Sequence, residues 1–204
     1  MSLILNGDEV EAGGSVLDAV LAAGIELPHL CKDDNLPAIG ACRTCLVEAD
    51  GRIVAACSFP ASMAKRVDTE TKTARRIRRG VLELTLAMQA ERGDEGGPLA
   101  GETASTASRE GAAVDRFAVR TGRAVDATSP FFSFHEAACI LCGRCVVACQ
   151  DLQHISAIGL AGRGRDTRVT PGAADTFRES ICTSCGSCVA ACPTSALRPR
   201  GGAE

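Results

Sequence analysis

The sequence predicts an α+β chain of two domains, each built around cysteines and joined by a helix and a linker. Three observations carry this expectation. The twelve cysteines form two fields, at 31, 42, 45 and 57 and at 139, 142, 145, 149, 182, 185, 188 and 192, with 81 cysteine-free residues between them. The first field is interleaved with short strand and helix signals. The second holds an internal repeat, CILCGRCVVAC from Cys139 and CTSCGSCVAAC from Cys182. The expected limits are residues 1–71 for the first domain, 72–130 for the helix and linker, and 131–204 for the second domain.

Each element has a local reason. Leu3-Ile4-Leu5, then Asn6-Gly7, then Glu9-Val10-Glu11 is a strand, a tight turn and a second strand. Ser15 precedes Val16, Leu17, Val20 and Leu21, with Asp18 completing an approximate capping box and Gly24 placed to end the helix. After the loop from Cys31 to Cys45, Leu46-Val47-Glu48 and Arg52-Ile53-Val54-Ala55 are strands around a turn at Asp50-Gly51, and Val67 to Glu70 is a weak strand. Thr73 to Glu91 reads as a helix on Ile77, Val81, Leu84, Leu86 and Met88, with Arg75, Arg76, Arg78 and Arg79 as a solvated face. Arg92 to Ala113 shows no sustained apolar period and reads as a linker or long loop. In the second domain each repeat predicts a cysteine loop followed by a short helix that carries the fourth cysteine.

Composition excludes several classes. With 204 residues, 46% hydrophobic and 23% charged, the chain is that of an ordinary globular protein. It has no Trp or Tyr and only six Phe, so something other than aromatic bulk must consolidate two small cores. Twenty-two basic against 25 acidic residues give a net charge of −3, without the positive field that holds nucleic acid. No segment reaches the apolar length of a membrane span, and the first residues lack a secretory signal, so the expected location is cytoplasmic. Thiols stay reduced there, and an ordered set of them points to metal rather than disulfides.

The spacings specify which metal. Cys-x2-Cys-x2-Cys-x3-Cys is the run that binds a 4Fe-4S cube, and in two-cluster domains the fourth cysteine of each run serves the other cube. The expected ligand sets are therefore Cys139, Cys142, Cys145 and Cys192 for one cube, and Cys182, Cys185, Cys188 and Cys149 for the other. Gly143 and Gly186 would let backbone amides approach the sulfides. Pro193 completes the second run, whereas Gln150 stands in the equivalent place of the first. A structural zinc site uses two separated Cys-x2-Cys pairs and would leave further cysteines of each repeat unexplained. In the first field, Cys31, Cys42, Cys45 and Cys57 around a β-rich core suit a 2Fe-2S cluster.

With Pro28-His29-Leu30-Cys31, Gly40-Ala41-Cys42-Arg43-Thr44-Cys45-Leu46-Val47-Glu48 and Ala56-Cys57, the first field resembles a known series. It is similar to the N-terminal 2Fe-2S domain of the large iron–sulfur subunit of complex I, shared with the diaphorase small subunit of NAD-reducing hydrogenases. NAD-dependent formate dehydrogenases and iron-only hydrogenases carry similar modules, and the second field resembles the two-cube domain of the same families. The resemblance implies a β-grasp 2Fe-2S ferredoxin-like domain followed by a two-cluster 4Fe-4S ferredoxin-like domain. It also implies an electron-transfer subunit placed between a flavin-bearing NADH-oxidising subunit and a catalytic redox subunit, a hydrogenase or a molybdenum or tungsten dehydrogenase. In those families the segment after the long helix supplies a histidine and three cysteines for an extra cluster. That segment here contains neither residue, so the extra cluster is expected to be absent.

Other residues receive plainer readings. His29 is a structural or exposed histidine near a ligand, His135 cannot rescue the extra cluster because the cysteines after it are already needed, and His154 has no task. Gly159, Gly162 and Gly164 with Arg163, Arg165 and Arg168 match no nucleotide-binding pattern and read as a surface loop. No catalytic residue set can be assembled, so the chain alone is not expected to turn over NADH. A free-standing ferredoxin or an iron–sulfur redox sensor is the alternative to a subunit of a larger complex.

Overall fold

The computed structural model describes residues 1–89, 101–119 and 124–201. β1 (Ser2–Leu5) and β2 (Asp8–Glu11) pair antiparallel through the Asn6-Gly7 turn, where both residues have positive φ (53° and 105°), as a two-residue hairpin requires. α1 (Val16–Ala22) opens on a complete capping box: Ser15 Oγ accepts from the Asp18 amide at 3.2 Å, and Asp18 Oδ2 accepts from the Ser15 amide at 2.8 Å. β3 (Leu46–Ala49) and β4 (Arg52–Ala55) form a second hairpin. β5 (Arg66–Asp68) lies between β1 and β3, parallel to the former and antiparallel to the latter. The resulting order, β2-β1-β5-β3-β4, is a mixed sheet grasping one helix, as in the β-grasp fold. Val16, Leu17 and Val20 of α1 are fully buried with Leu3, Leu5, Val47 and Val67 of the sheet. Each such side chain contributes about 2 kcal/mol of burial free energy.

α2 (Lys72–Met88) starts where Thr71 Oγ1 accepts from the Ala74 amide at 3.1 Å; the expected end at Glu91 lies outside the described residues. One expectation for its arginine run is overturned. Arg75, Arg76 and Arg79 are exposed, but Arg78 is 1% exposed. It falls on the i, i+4 stripe with Ala74, Leu82 and Leu86, so helix geometry turns it inward. Its guanidinium is satisfied there by the carbonyls of Leu46 (3.1 Å) and Thr69 (2.6 Å) and by Glu110 (3.2 Å).

α3 (Glu102–Glu110) lies inside the stretch expected to be a linker or long loop. Its buried positions are Thr103, Thr106 and Ala107, small residues that leave no apolar period to read. Long-range pairs hold it instead: Glu102 to Arg144, Glu110 to Arg78, and Arg109 to Glu26. The front of the stretch, residues 92–100, lies outside the described residues.

Ahead of residue 131, β6 (Val125–Asp126) pairs antiparallel with β7 (Phe132–His135). A two-residue edge strand is too short to show alternation. α4 (Arg144–Val147) runs into a π-helical turn at Ala148–Leu152 that carries Cys149. β8 (Gly159–Ala161) and β9 (Arg168–Thr170) form a hairpin where a surface loop was expected. α5 (Ser187–Ala190) ends before Cys192, which sits in the following turn rather than on the helix as expected. The difference between the halves follows from Pro193, which disfavours helix at the preceding residue, whereas Gln150 lets the first run continue. β10 (Leu197–Pro199) closes the sheet β10-β7-β6. Phe177 stands edge-on to Phe132 and Phe134, with centroids 5.1 Å and 6.0 Å away, so three of the six phenylalanines concentrate in this one core. Among the described residues no helix is long and apolar enough to cross a membrane.

Candidate metal centres

The structure gathers the cysteines into three groups. In the first domain, the loop between α1 and β3 brings Cys31, Cys42 and Cys45 together, and Cys57 follows β4. The neighbouring thiols of Cys42 and Cys57 hold the Cys31 thiol far below its usual range, while the same proximity pushes Cys57 and Cys42 up. Four sulfurs that crowd one point repel a second negative charge unless a cation takes the protons' place. The Cys31 amide donates to Cys42 Sγ at 3.3 Å. Thr44, which sequence reasoning passed over, is fully buried; its hydroxyl lies 3.1 Å from Cys42 Sγ and accepts from the Leu30 amide at 3.2 Å.

In the second domain two cavities are lined by four cysteines each. Cys139, Cys142, Cys145 and Cys192 border one, and Cys182, Cys185, Cys188 and Cys149 border the other. The fourth cysteine of each run thus faces the three-cysteine loop of the other. The two loops repeat in detail. Leu141 and Ser184 both adopt left-handed backbone (φ 54° and 59°), and each amide donates to the sulfur two residues earlier at 3.4 Å. Gly143 and Gly186 then turn the chain into α4 and α5 with φ of 84° and 80°. Among the described residues, no three His, Cys, Asp or Glu side chains converge on a single-ion site; the sulfurs of the second domain border cavities instead. All-sulfur donor sets with backbone N–H groups aimed at sulfur fit iron–sulfur clusters.

The repeats differ in what covers them. Leu30, Cys31, Leu82, Ile140 and Cys142 share one apolar cluster, with Ile39 and Cys42 packed on it, so the first domain seals one loop of the second. Cys142 is buried, and burial pushes its thiol up to about 12 against the backbone and charge of Arg144, which pull it down. Its counterpart Cys185 is exposed, and the Ser187 amide holds its thiol below the usual value. Ile181, which precedes Cys182, is 70% exposed, whereas the matching Ala138 before Cys139 is buried.

His29 Nδ1 bonds the Leu27 carbonyl at 2.6 Å, His135 Nε2 pairs with Ser133 Oγ at 3.1 Å, and His154 is exposed.

A β-grasp domain with one four-cysteine site, followed by a pseudo-symmetric domain with two, defines a multicluster protein of the ferredoxin type. Residues 2–72 match the 2Fe-2S iron-sulfur cluster binding domain and residues 138–196 the 4Fe-4S dicluster domain. The chain is 32% identical over 178 residues to an NADH-quinone oxidoreductase subunit of Rickettsia prowazekii, a match that covers 83% of this chain and 26% of that protein. It is 32% identical to the mitochondrial 78 kDa subunit of NADH-ubiquinone oxidoreductase of Candida albicans, over 78% of this chain and 23% of that one. A chain in the crystal structure of an NAD+-reducing [NiFe]-hydrogenase superposes with a TM-score of 0.85 at 30% identity, covering 98% of this chain and 87% of that one. The protein therefore belongs to the family of iron–sulfur subunits found in complex I and NAD-reducing hydrogenase. It spans about a quarter of the length of the NADH oxidoreductase relatives it matches.

Proposed function

We propose that this chain is an electron-transfer subunit holding one 2Fe-2S cluster on Cys31, Cys42, Cys45 and Cys57. Cys139, Cys142, Cys145 and Cys192 would hold one 4Fe-4S cube, and Cys182, Cys185, Cys188 and Cys149 the other. It relays electrons between a flavin-containing NAD(H) oxidoreductase subunit and a catalytic redox subunit, a hydrogenase or a molybdenum or tungsten dehydrogenase. The observation that carries this reading is the shared apolar cluster joining Cys31 and Cys142, which sets two cysteine sites against each other without intervening solvent. When bound, such clusters accept and release single electrons. The chain's own residues fix the spacing: Leu30 and Ile140 exclude water at the junction, and backbone amides at Leu141 and Ser184 stabilise charge on sulfur. The exposed surface at Cys185 and Ile181 supplies the opposite end, where a partner can approach. The segment after α2 lacks His and Cys, so the family's extra cluster has no ligands in it.

Anaerobic purification from the native host, with iron and flavin counted and companion subunits identified, tests the reading. About ten iron atoms per chain and a flavoprotein companion are expected. About fourteen would mean a further cube, and recovery of the chain alone with iron but no companion would favour a free ferredoxin or a sensor.

A further inference from the structure

The two cysteine loops of the second domain agree in backbone and differ at one chemically decisive position. Arg144 opens α4 between Cys142 and Cys145, whereas Ser187 opens α5 between Cys185 and Cys188. Arg144 is 5% exposed. Its guanidinium donates to the Lys32 carbonyl at 2.6 Å, the residue after Cys31, and to both carboxylate oxygens of Glu102 at 2.9 and 3.1 Å, with Asp33 at 3.8 Å. Its Nε has no hydrogen-bond partner among the described residues. A buried cation with an open donor thus stands between Cys142 and Cys145 in the chain and reaches the backbone next to Cys31.

Burial opposes adding negative charge, so the site of Cys139, Cys142, Cys145 and Cys192, where Cys142 is buried and its counterpart Cys185 is exposed, would by itself be harder to reduce than the other. Arg144 acts against that. Its side chain is 6% exposed, while Glu102 and Asp33 are 38% and 26% exposed. Water screens the carboxylates more than the guanidinium, so the field of the cation is the less attenuated of the three. Glu102 is supplied by α3, so the helix also fixes where the charge sits.

We propose that Arg144 is a redox-tuning residue that raises the reduction potential of the buried 4Fe-4S site, acting selectively because Ser187 leaves the other site without a matching charge. This rests on the cluster assignment above. The 2Fe-2S site, approached through Lys32, receives a smaller upward shift.

The test is a redox titration of the full anaerobically purified chain followed by electron paramagnetic resonance, with iron counted in each sample. Arg144→Gln is expected to move one 4Fe-4S midpoint to more negative potential and leave the other in place. Arg144→Lys should keep most of the native value, because charge rather than the forked hydrogen bond is responsible, and Glu102→Gln should shift the same midpoint upward. Unchanged midpoints in Arg144→Gln, equal shifts in both cubes, or an Arg144→Lys protein that behaves like Arg144→Gln would overturn the proposal. Iron well below about ten atoms in the unsubstituted chain would instead overturn the cluster assignment beneath it.

Discussion

Ile39, on the loop of the first cysteine site, packs over Gly143 at the start of α4, its Cγ2 3.5 Å from where a β-carbon on that glycine would sit. At the matching Gly186 nothing lies within 4 Å. Both glycines have φ near 80°, so replacement by Ala strains the backbone at each by about 1 kcal/mol. The Ile39 contact is an ordinary van der Waals distance and adds no clash. Gly143→Ala and Gly186→Ala should therefore lower the urea midpoint by similar amounts. A much larger loss at Gly143 would mean that the junction tolerates no added carbon.

Cys149 sits on the π-helical turn of the first repeat but borders the cavity of Cys182, Cys185 and Cys188. Cys149→Ala should remove or degrade the cube of the second repeat while the spectrum of the other persists. Selective damage to the Cys139 site would refute the crossed arrangement.

Arg78 joins the ends of β3 and β5 to α3 through two carbonyls and Glu110, with its side chain 2% exposed. Arg78→Ala strands Glu110, itself 12% exposed, and two carbonyls. A loss of about 3 kcal/mol is expected by chemical denaturation, against under about 1 kcal/mol for the exposed Arg75→Ala. Equal small effects would show that water replaces the guanidinium readily.

The core of the first domain is mostly strand and helix residues with Cys45 and Cys57 among them, whereas the smaller core of the second includes Cys139, Cys149 and Cys188 and has Cys145, Cys182 and Cys192 packed against it. Removing iron with a chelator under reducing conditions should expose the second domain to protease and leave β1 to β5 protected. Simultaneous digestion of both would show that the first domain also depends on its metal.

Local signals were legible in the sequence. Asn6-Gly7, the Ser15 and Asp18 capping box and the doubled cysteine run each depend on residues close in the chain, and each marks its element. Arg78 was misread as solvated because its inward position follows from what packs against α2, and α3 was misread because Thr103, Thr106 and Ala107 give no period. Arg144 took on meaning only when it met Lys32 and Glu102, far away in the chain, and Thr44 when the loop brought it to Leu30. The crossed pairing was expected from the family of spacings, and the two cavities collect those same sulfurs.

α3 reaches three ways at once, to Glu26 in the first domain, to Arg78 on α2 and to Arg144 in the second domain. A molecule stapled like this does not shuttle cargo by swinging one half toward a donor and then toward an acceptor. On the proposed function, hand-over between its halves would cross a gap whose width α3 helps to hold, like current through a soldered joint.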